Sequence, residues 1–566
     1  MISAADPILF GRRHGDQRCR KPFTAPKVRW IGGHSSIVLI PISNETYEAI
    51  ERAPSQYLPL NTYELAKGDL RHYQQQYVDM YFLRLATLKP IVERVAQETW
   101  AEVEVHCTLI AKSNTSSEIL SHLGSWRESP PCGPSPGCAA GRFVLGGRHS
   151  LHGYALETEC PRRHIERCNA LCCPQSLYCR AHDCQHWISA PPPREKYVSP
   201  SGLDQVMLED QSGRLRLTGT FLQTTMLVTG CIVAVMGTEN ADGEFEVVDL
   251  KIPDLPRQPQ RWERTESAAI LSNGSSKTTP VSKPSSTTPN KVVIVSGLSI
   301  SGDDGSLLTL DLLSEFLLGE SLTRNVQVSA GQVSHLIIAG NSIVEGTPLA
   351  PTQNESTTKA KKYGYDASAY NPTPTAHLDR FLATLLPSIP ITLLPGATDP
   401  ANVSLPQQPI HPAMFPHARA YSANPGTTEP GWFDSVTNPW EGEIEGWRFM
   451  GTGGQPIDDI FKYVEGDDRL DMMECLLRWR NGAPTAPDTL TCYPFQDHDP
   501  FILEECPHVY FAGGQPRFES TVIEGPEGQS VRLVSVPKFA ETGEVVVLDM
   551  DTLEVEPLRF DVFGEG

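Results

Sequence analysis

Four short apolar runs in the second half of the chain each end at glycine: Lys291–Gly297 (KVVIVSG), His335–Gly340 (HLIIAG), Ile391–Gly396 (ITLLPG) and Val509–Gly513. Read as strands of an α/β sheet, they place any ligand beyond their carboxyl ends. The residues at those ends are Ser296-Gly297-Leu298-Ser299, Gly340-Asn341-Ser342, Gly396-Ala397-Thr398-Asp399 and Gly513-Gly514-Gln515-Pro516. A pair of metal ions that cleaves phosphate esters needs carboxylates to bridge the ions, with His and Asn completing the shells and polarising the phosphate. The chain offers Gly, Ser, Asn, Ala and Thr there, with Asp399 the only carboxylate. Asp303, Asp304 and Glu345 lie close by in sequence, but three scattered acids do not make a histidine-rich dinuclear centre. These positions read as turn residues, with no metal and no cofactor expected.

Other chemistry-bearing residues are weaker. Gly451–Gly454 (GTGG) lacks the Lys-Ser/Thr of a phosphate-cradling loop, and no G-x-S-x-G elbow occurs. His411 and His417 flank Pro412 and Pro416 and read as structural histidines in a loop. Lys359, Lys361 and Lys362 read as an exposed loop. Residues 113–184 hold eight of the fourteen cysteines and seven arginines, but no lysine and one Asp. Cys168, Cys172, Cys179 and Cys184, with His164 and His182, could ligate zinc in principle, yet no C-x-x-C pair is present. The composition of this segment resembles translated non-coding DNA, as from a retained intron.

The elements around these residues follow from periodicity. Residues 1–59 lack a sustained pattern and read as a poorly ordered N-terminal segment. Residues 60–100 read as a helical segment, in which Tyr73, Tyr77, Met80, Tyr81, Leu88, Ile91, Val92 and Val95 form an apolar stripe over Arg71–Ala96. Pro90 should break or kink that helix. Residues 101–262 read as a five-stranded OB-type barrel, from Glu102–Ile110 through Val206–Glu209, Arg214–Thr220, Gly230–Gly237 and Glu244–Ile252. Asp242-Gly243 supplies a hairpin turn, and the Cys/Arg-rich segment 113–184 interrupts the barrel after its first strand. Residues 263–290 are a Ser/Thr/Pro linker. In residues 291–566 the strands alternate with helices at Leu307–Leu318, His377–Leu386 and Ile457–Arg480, which predicts an α/β sandwich closed by terminal strands.

The whole chain is acidic, with 47 basic and 68 acidic residues and a net charge of −21. Such a surface repels phosphate and disfavours autonomous nucleic-acid binding. The predicted barrel strands carry only Phe221 and Phe245 as aromatics, where a single-strand binder stacks bases on several. No apolar run reaches membrane-spanning length, and the first residues lack a signal-peptide core, so the chain reads as intracellular with reduced thiols. The cluster Arg12, Arg13, Arg18, Arg20 and Lys21 is compatible with a nuclear address but reads more simply as a solvated end.

Several stretches carry a resemblance to a known family. They are RHYQQQYVDMYFLRLATLKP (Arg71–Pro90), PPPREKYVSPSGLDQVMLED (Pro191–Asp210), VTGCIVAVMG (Val228–Gly237), PGATDPANVSLPQQPIHPAMFP (Pro395–Pro416), PTAPDTLTCYPF (Pro484–Phe495) and ECPHVYFAGGQP (Glu505–Pro516). The chain resembles the B-subunits of eukaryotic replicative DNA polymerases, and among them the second subunit of the delta enzyme, over about residues 60–112 and 185–566. The resemblance implies an α+β multidomain chain: an OB-fold barrel, then a calcineurin-like (metallophosphoesterase-like) sandwich that has lost its metal ligands. Against active relatives, Gly297 and Ser299 look like replacements of Asp and His, and Asn341 of Asp. Ala397 and Thr398 look like replacements of Asn and His with Asp399 surviving, and Gly514 and Pro516 replace two histidines. It further implies a non-catalytic nuclear scaffold that binds the Cys-rich C-terminal domain of the polymerase delta catalytic subunit and the third polymerase delta subunit. The sliding clamp would be reached through the complex, DNA only indirectly or weakly, and no membrane is involved. The alternatives are a metal-dependent phosphodiesterase and an independent single-strand DNA-binding OB protein.

Overall fold

The computed structural model describes residues 50, 52, 55–66, 76–100, 195–198, 204–209, 213–263, 290–302, 307–320, 323–344, 371–424 and 430–561, and the strand backbones at 27–29, 36–38 and 138–146. The basic N-terminal cluster, the linker residues 264–289, the candidate zinc residues, Lys359–Lys362, Asp303, Asp304 and Glu345 lie outside these residues. Near the start, β1 (Lys27–Arg29) and β2 (Ser36–Val38) form an antiparallel pair. β3 (Tyr57–Pro59) follows, then the long helix α1 (Val78–Trp100).

α1 buries Met80, Arg84, Leu88, Val92, Ala96 and Trp100, one residue every four positions, as a helix face requires. Tyr77 of the predicted stripe is instead 39% exposed, and a charged residue, Arg84, takes a core position. The expected break at Pro90 is not seen, because the helix runs through it. Pro90 and Ala86, the residue whose carbonyl loses its helical partner, both lie on the exposed face, where water can serve that carbonyl.

The barrel is closed, in the order β4-β5-β6-β8-β7. Its strands are β4 (Cys138–Gly146), β5 (Gln205–Glu209), β6 (Arg214–Thr218), β7 (Ile232–Glu239) and β8 (Phe245–Lys251). Four of these match the sequence expectation. The fifth comes from within residues 113–184, where the sequence led to an interruption: β4 pairs antiparallel with β5 and β7 through Arg142, opposite Glu209 and Ile232. The expected first strand, Glu102–Ile110, lies outside the described residues.

The second unit is two six-stranded sheets face to face. The first sheet runs β12-β11-β10-β9-β18-β19 and the second β16-β17-β15-β14-β13-β3. In the first, β9 (Lys291–Val295), β10 (Val333–Ala339), β11 (Ile391–Leu394) and β12 (Phe433–Ser435) are parallel. β18 (Glu544–Asp549) and β19 (Val555–Arg559) complete it antiparallel. In the second, β14 (Trp447–Thr452), β15 (Val509–Gln515) and β17 (Ser530–Pro537) are parallel. β13 (Trp440–Ile444), β16 (Glu519–Glu524) and β3 pair antiparallel at the flanks.

Val292, Ile294, Ile337, Leu394, Phe449, Phe511, Val534 and Val546 fill the space between the sheets. The β9, β10 and β11 runs are apolar without alternation because both faces are covered. The outer face of the first sheet packs on α2 (Leu307–Leu318), α3 (Arg324–Gly331) and α4 (Thr373–Leu385). The outer face of the second packs on α5 (Gln455–Phe461) and α6 (Arg469–Arg478). A short α7 (Phe539–Thr542) precedes β18. The single helix expected over Ile457–Arg480 is therefore two. Gly466, Asp467 and Asp468 divide it, and the Asp468 carboxylate caps α6 by accepting from the Asp471 N–H at 3.1 Å.

The barrel and the sandwich share one core. Leu217, Val233 and Val235 of the barrel pack in the same cluster as Ile457, Tyr463, Met473 and Trp479. At Gly230, with φ +85°, a Cβ would fall 2.0 Å from the Pro484 carbonyl oxygen, so only glycine permits this approach. α1 clamps the seam. Leu88, Val92, Ala96 and Trp100 lie on Ile232 and Ala234 of the barrel, while Met80 joins Ala483, Ala486, Cys492 and Phe501 of the sandwich. The Arg84 guanidinium meets the Asp499 carboxylate at 2.7 Å, with side-chain exposures of 2% and 0%.

Candidate functional site

At the carboxyl ends of β9 and β10 the chain turns sharply, with left-handed φ at Gly297 (+64°), Ser299 (+49°), Gly340 (+77°) and Asn341 (+56°). The two turns run side by side: Gly297 N–H donates to the Gly340 carbonyl at 3.0 Å and Ser299 N–H to the Asn341 carbonyl at 3.1 Å. Gly396, after β11, crosses so near that a Cβ there would lie 2.2 Å from the Asn341 nitrogen. The Ser296 hydroxyl donates to the Ala339 carbonyl at 2.6 Å and accepts from Gly514 N–H at 2.8 Å, which ties the two sheets together.

Asn341 is the hub of the expected site residues. Its Oδ1 accepts from the Thr398 N–H at 3.3 Å and the Thr398 hydroxyl at 3.4 Å, and its Nδ2 reaches the Gly453 carbonyl at 3.5 Å. A Cβ on Gly514 would lie 2.9 Å from that same Nδ2. Asp399 is buried and committed: Oδ1 accepts from Ile343 N–H at 2.9 Å and Oδ2 from Gly396 N–H at 2.8 Å. Burial raises its pKa to about 6, against the pull of main-chain N–H groups toward the carboxylate. Ala397 and Pro516 sit at the exposed rim.

Three amides that sequence reasoning missed complete the closure. Asn438 Nδ2 donates to Gln407 Oε1 at 2.8 Å and to Gln455 Oε1 at 2.9 Å, and Gln455 Nε2 donates to Gln407 Oε1 at 2.9 Å. Gln407 Nε2 donates to the carbonyls of Gly396 at 3.1 Å and Asn402 at 3.0 Å. Asn438 Oδ1 accepts from the Thr452 hydroxyl at 3.1 Å and Gly453 N–H at 2.9 Å. The GTGG segment thus serves this network through the Thr452 hydroxyl and the Gly453 main-chain N–H. Gln407 and Asn438 come from two separate loops and Gln455 from the first turn of α5, so no spacing in the sequence announces them. Their side-chain amides bond to one another and to the surrounding chain, which forms a neutral plug beside the strand ends.

Among the described residues, no group of three or more His, Cys, Asp or Glu side chains is placed to hold a metal ion. Among them also, no helix is long and apolar enough to cross a membrane. His411 accepts from the Ala413 N–H at 3.1 Å and caps a short turn. His417 pairs through Nδ1 with the buried Asp379 at 2.6 Å, and Asp379 also accepts from Ala418 N–H at 2.9 Å.

The comparisons with known proteins point one way. The family model for the B-subunits of DNA polymerases alpha and epsilon matches residues 292–520, from β9 into β16. The one described as "DNA polymerase delta subunit OB-fold domain" matches residues 173–250 and takes in β5, β6, β7 and nearly all of β8. The "DNA polymerase delta small subunit" of Arabidopsis thaliana is 38% identical over 358 residues, 63% of this chain and 72% of the relative. The protein of the same name from Saccharomyces cerevisiae is 34% identical over 390 residues, 64% of this chain and 71% of the relative. The "DNA polymerase delta subunit 2" of Drosophila melanogaster is 35% identical over 388 residues, 67% and 79%.

The chain belongs to the DNA polymerase delta small-subunit family.

Within this family assignment the barrel is an OB fold, and the sequence resemblance to DNA-replication proteins stands. The plugged strand ends lie inside residues 292–520, so the neutral network is part of the region shared with the alpha and epsilon B-subunits.

Proposed function

We propose that this chain is a non-catalytic accessory subunit of DNA polymerase delta, which holds the catalytic subunit and a third subunit together in the nucleus. The observation that carries the reading is the plug at the strand ends. Where a metallophosphoesterase needs ligands, the chain has Gly297, Ser299, Asn341, Ala397, Thr398, Gly514 and Pro516, and both oxygens of Asp399 accept main-chain hydrogen bonds. The paired sheets with helices on the outer faces support a calcineurin-like ancestry for residues 291–566. The OB domain occupies about 101–262, preceded by the α1 region and followed by the linker at 263–290. The partner surfaces are for the catalytic subunit's Cys-rich C-terminal domain and for the third subunit, and contact with the clamp and with DNA is made through the complex.

Independent strand binding by the barrel is disfavoured at its basic residues. Arg214 is 3.2 Å from Glu209 and Arg216 2.6 Å from Glu244, so both cations on β6 are neutralised locally. The test is co-expression of the full chain with the catalytic subunit. A stable one-to-one complex that is lost when the catalytic subunit's C-terminal domain is removed is the expected result; a folded chain that elutes alone overturns the reading.

A further inference from the structure

The second sheet ends in an edge whose outward main chain no described strand covers. β16 is its outermost strand, and among the described residues no strand lies on its far side. It pairs with β17 in the register Glu519–Ser535 to Glu524–Ser530, and Gly525 N–H donates to the Gln529 carbonyl at 2.9 Å as the next rung. Antiparallel ladders alternate, so the hydrogen-bonded rungs fall at Ile523, Thr521 and Glu519. The main-chain groups of Ser520, Val522 and Glu524 therefore point away from β17. The Glu524 carbonyl accepts from Arg478 Nη2 at 3.0 Å, as this alternation requires. The strand has six residues without proline, lysine or bulge, and Val522 is 43% exposed. Natural sheets rarely leave such an edge without a covering element.

α6 builds one wall beside this edge. The groove between them has a volume of about 360 Å³ and is lined by Asp468, Asp471, Glu474 and Arg478 from the helix and by Thr521–Glu524 from the strand. Its charge is one-sided. Arg478 is engaged by Asp254 at 2.6 Å and Glu474 at 2.7 Å, and Arg517, before the strand, by Glu519 at 2.8 Å. Burial, and then the like charges of Asp468 and Glu474, raise the pKa of Asp471, a crowding that an incoming cation relieves.

We propose that the outer edge of β16 and the acidic wall of α6 form a docking site for an extended, Lys/Arg-bearing segment of another subunit of the polymerase complex, added as a seventh strand. The outward main-chain groups of Ser520 and Val522 supply the pairing, and Asp468, Asp471 and Glu524 select a basic sequence. This inference rests on the accessory-subunit reading.

Hydrogen exchange of the full chain, alone and in complex with the catalytic and third subunits, tests it. The outward amides of Ser520, Val522 and Glu524 should slow about tenfold or more on assembly. Val522→Pro removes an outward N–H that β17 does not use, so the fold is kept while the protection is lost. The charge reversal Asp471→Lys with Glu524→Lys should weaken the complex about tenfold. A complex that forms with unchanged exchange at Ser520, Val522 and Glu524, and with wild-type affinity in the charge-reversed variant, overturns the docking site and leaves the subunit reading intact. Absence of any complex overturns both.

Discussion

At the strand ends, Gln407, Asn438 and Gln455 are joined by neutral amide hydrogen bonds of 2.8–2.9 Å. Under α1, the guanidinium of Arg84 meets the carboxylate of Asp499 at 2.7 Å, with both groups out of solvent. Both clusters are polar and buried, yet they do different work. The amides close one unit upon itself at the place where α/β sheets ordinarily bind ligands. The ion pair joins α1 to a sandwich loop, beside the seam with the barrel. A neutral network is inexpensive to bury when every group is partnered, whereas an ion pair must overcome a large desolvation cost and fails badly when halved. The difference teaches how this chain uses its buried polar groups: neutral amides fill the strand ends of one unit, and an ion pair ties α1 to the sandwich.

The largest effect is expected at the joint. Arg84→Met leaves Asp499 buried without a counter-ion and should cost about 3–5 kcal/mol in urea unfolding. Replacing both partners, Arg84→Met with Asp499→Leu, should recover most of that loss. A single variant no weaker than the double would break the comparison. At the sealed end, Gln407→Met removes the acceptor shared by Asn438 and Gln455 and should cost about 1–3 kcal/mol by the same measurement. A cost above that of Arg84→Met would reverse the ranking of the two clusters.

The smallest effect sharpens the picture of the sealed end. The folded-state pKa of Asp399, about 6, lies above the unfolded value near 3.9. The folded state then holds this proton more tightly, so the contribution of Asp399 to stability is greatest below about pH 4 and falls as pH rises to about 6. The stability of wild type relative to Asp399→Asn should decline by on the order of 1–3 kcal/mol between pH 4 and pH 7. Urea midpoints across that range decide it, and a rise with pH would mean that the main-chain donors, Ile343 and Gly396 among them, outweigh burial.

Much of this molecule is legible in its amino-acid order. Lys291–Val295, Val333–Ala339 and Ile391–Leu394 announce themselves because strands covered on both faces are apolar throughout, and glycine marks where each stops. The hairpin of β13 and β14 is hidden, since its sequence WEGEIEGWRF carries acids in buried places. Glu445 accepts from Gln56 N–H at 2.7 Å and Glu443 sits 3.7 Å from Arg448, partners supplied only by the fold. The residue types at the strand ends, from Gly297 to Pro516 with Asp399 the one carboxylate among them, are readable directly. What fills them is not, because Gln407, Asn438 and Gln455 meet from two loops and a helix start far apart in the chain. Arg84 escapes notice for a related reason: a cation in an apolar stripe reads as the exposed edge of a helix until its buried carboxylate is found.

The most direct measurement is a manganese titration of the purified full chain, read by calorimetry and by hydrolysis of bis(p-nitrophenyl) phosphate. If the strand ends are sealed by amides, there is no saturable heat of binding and hydrolysis stays at the protein-free rate. Saturable manganese-dependent turnover that disappears in Asp399→Asn would contradict the account.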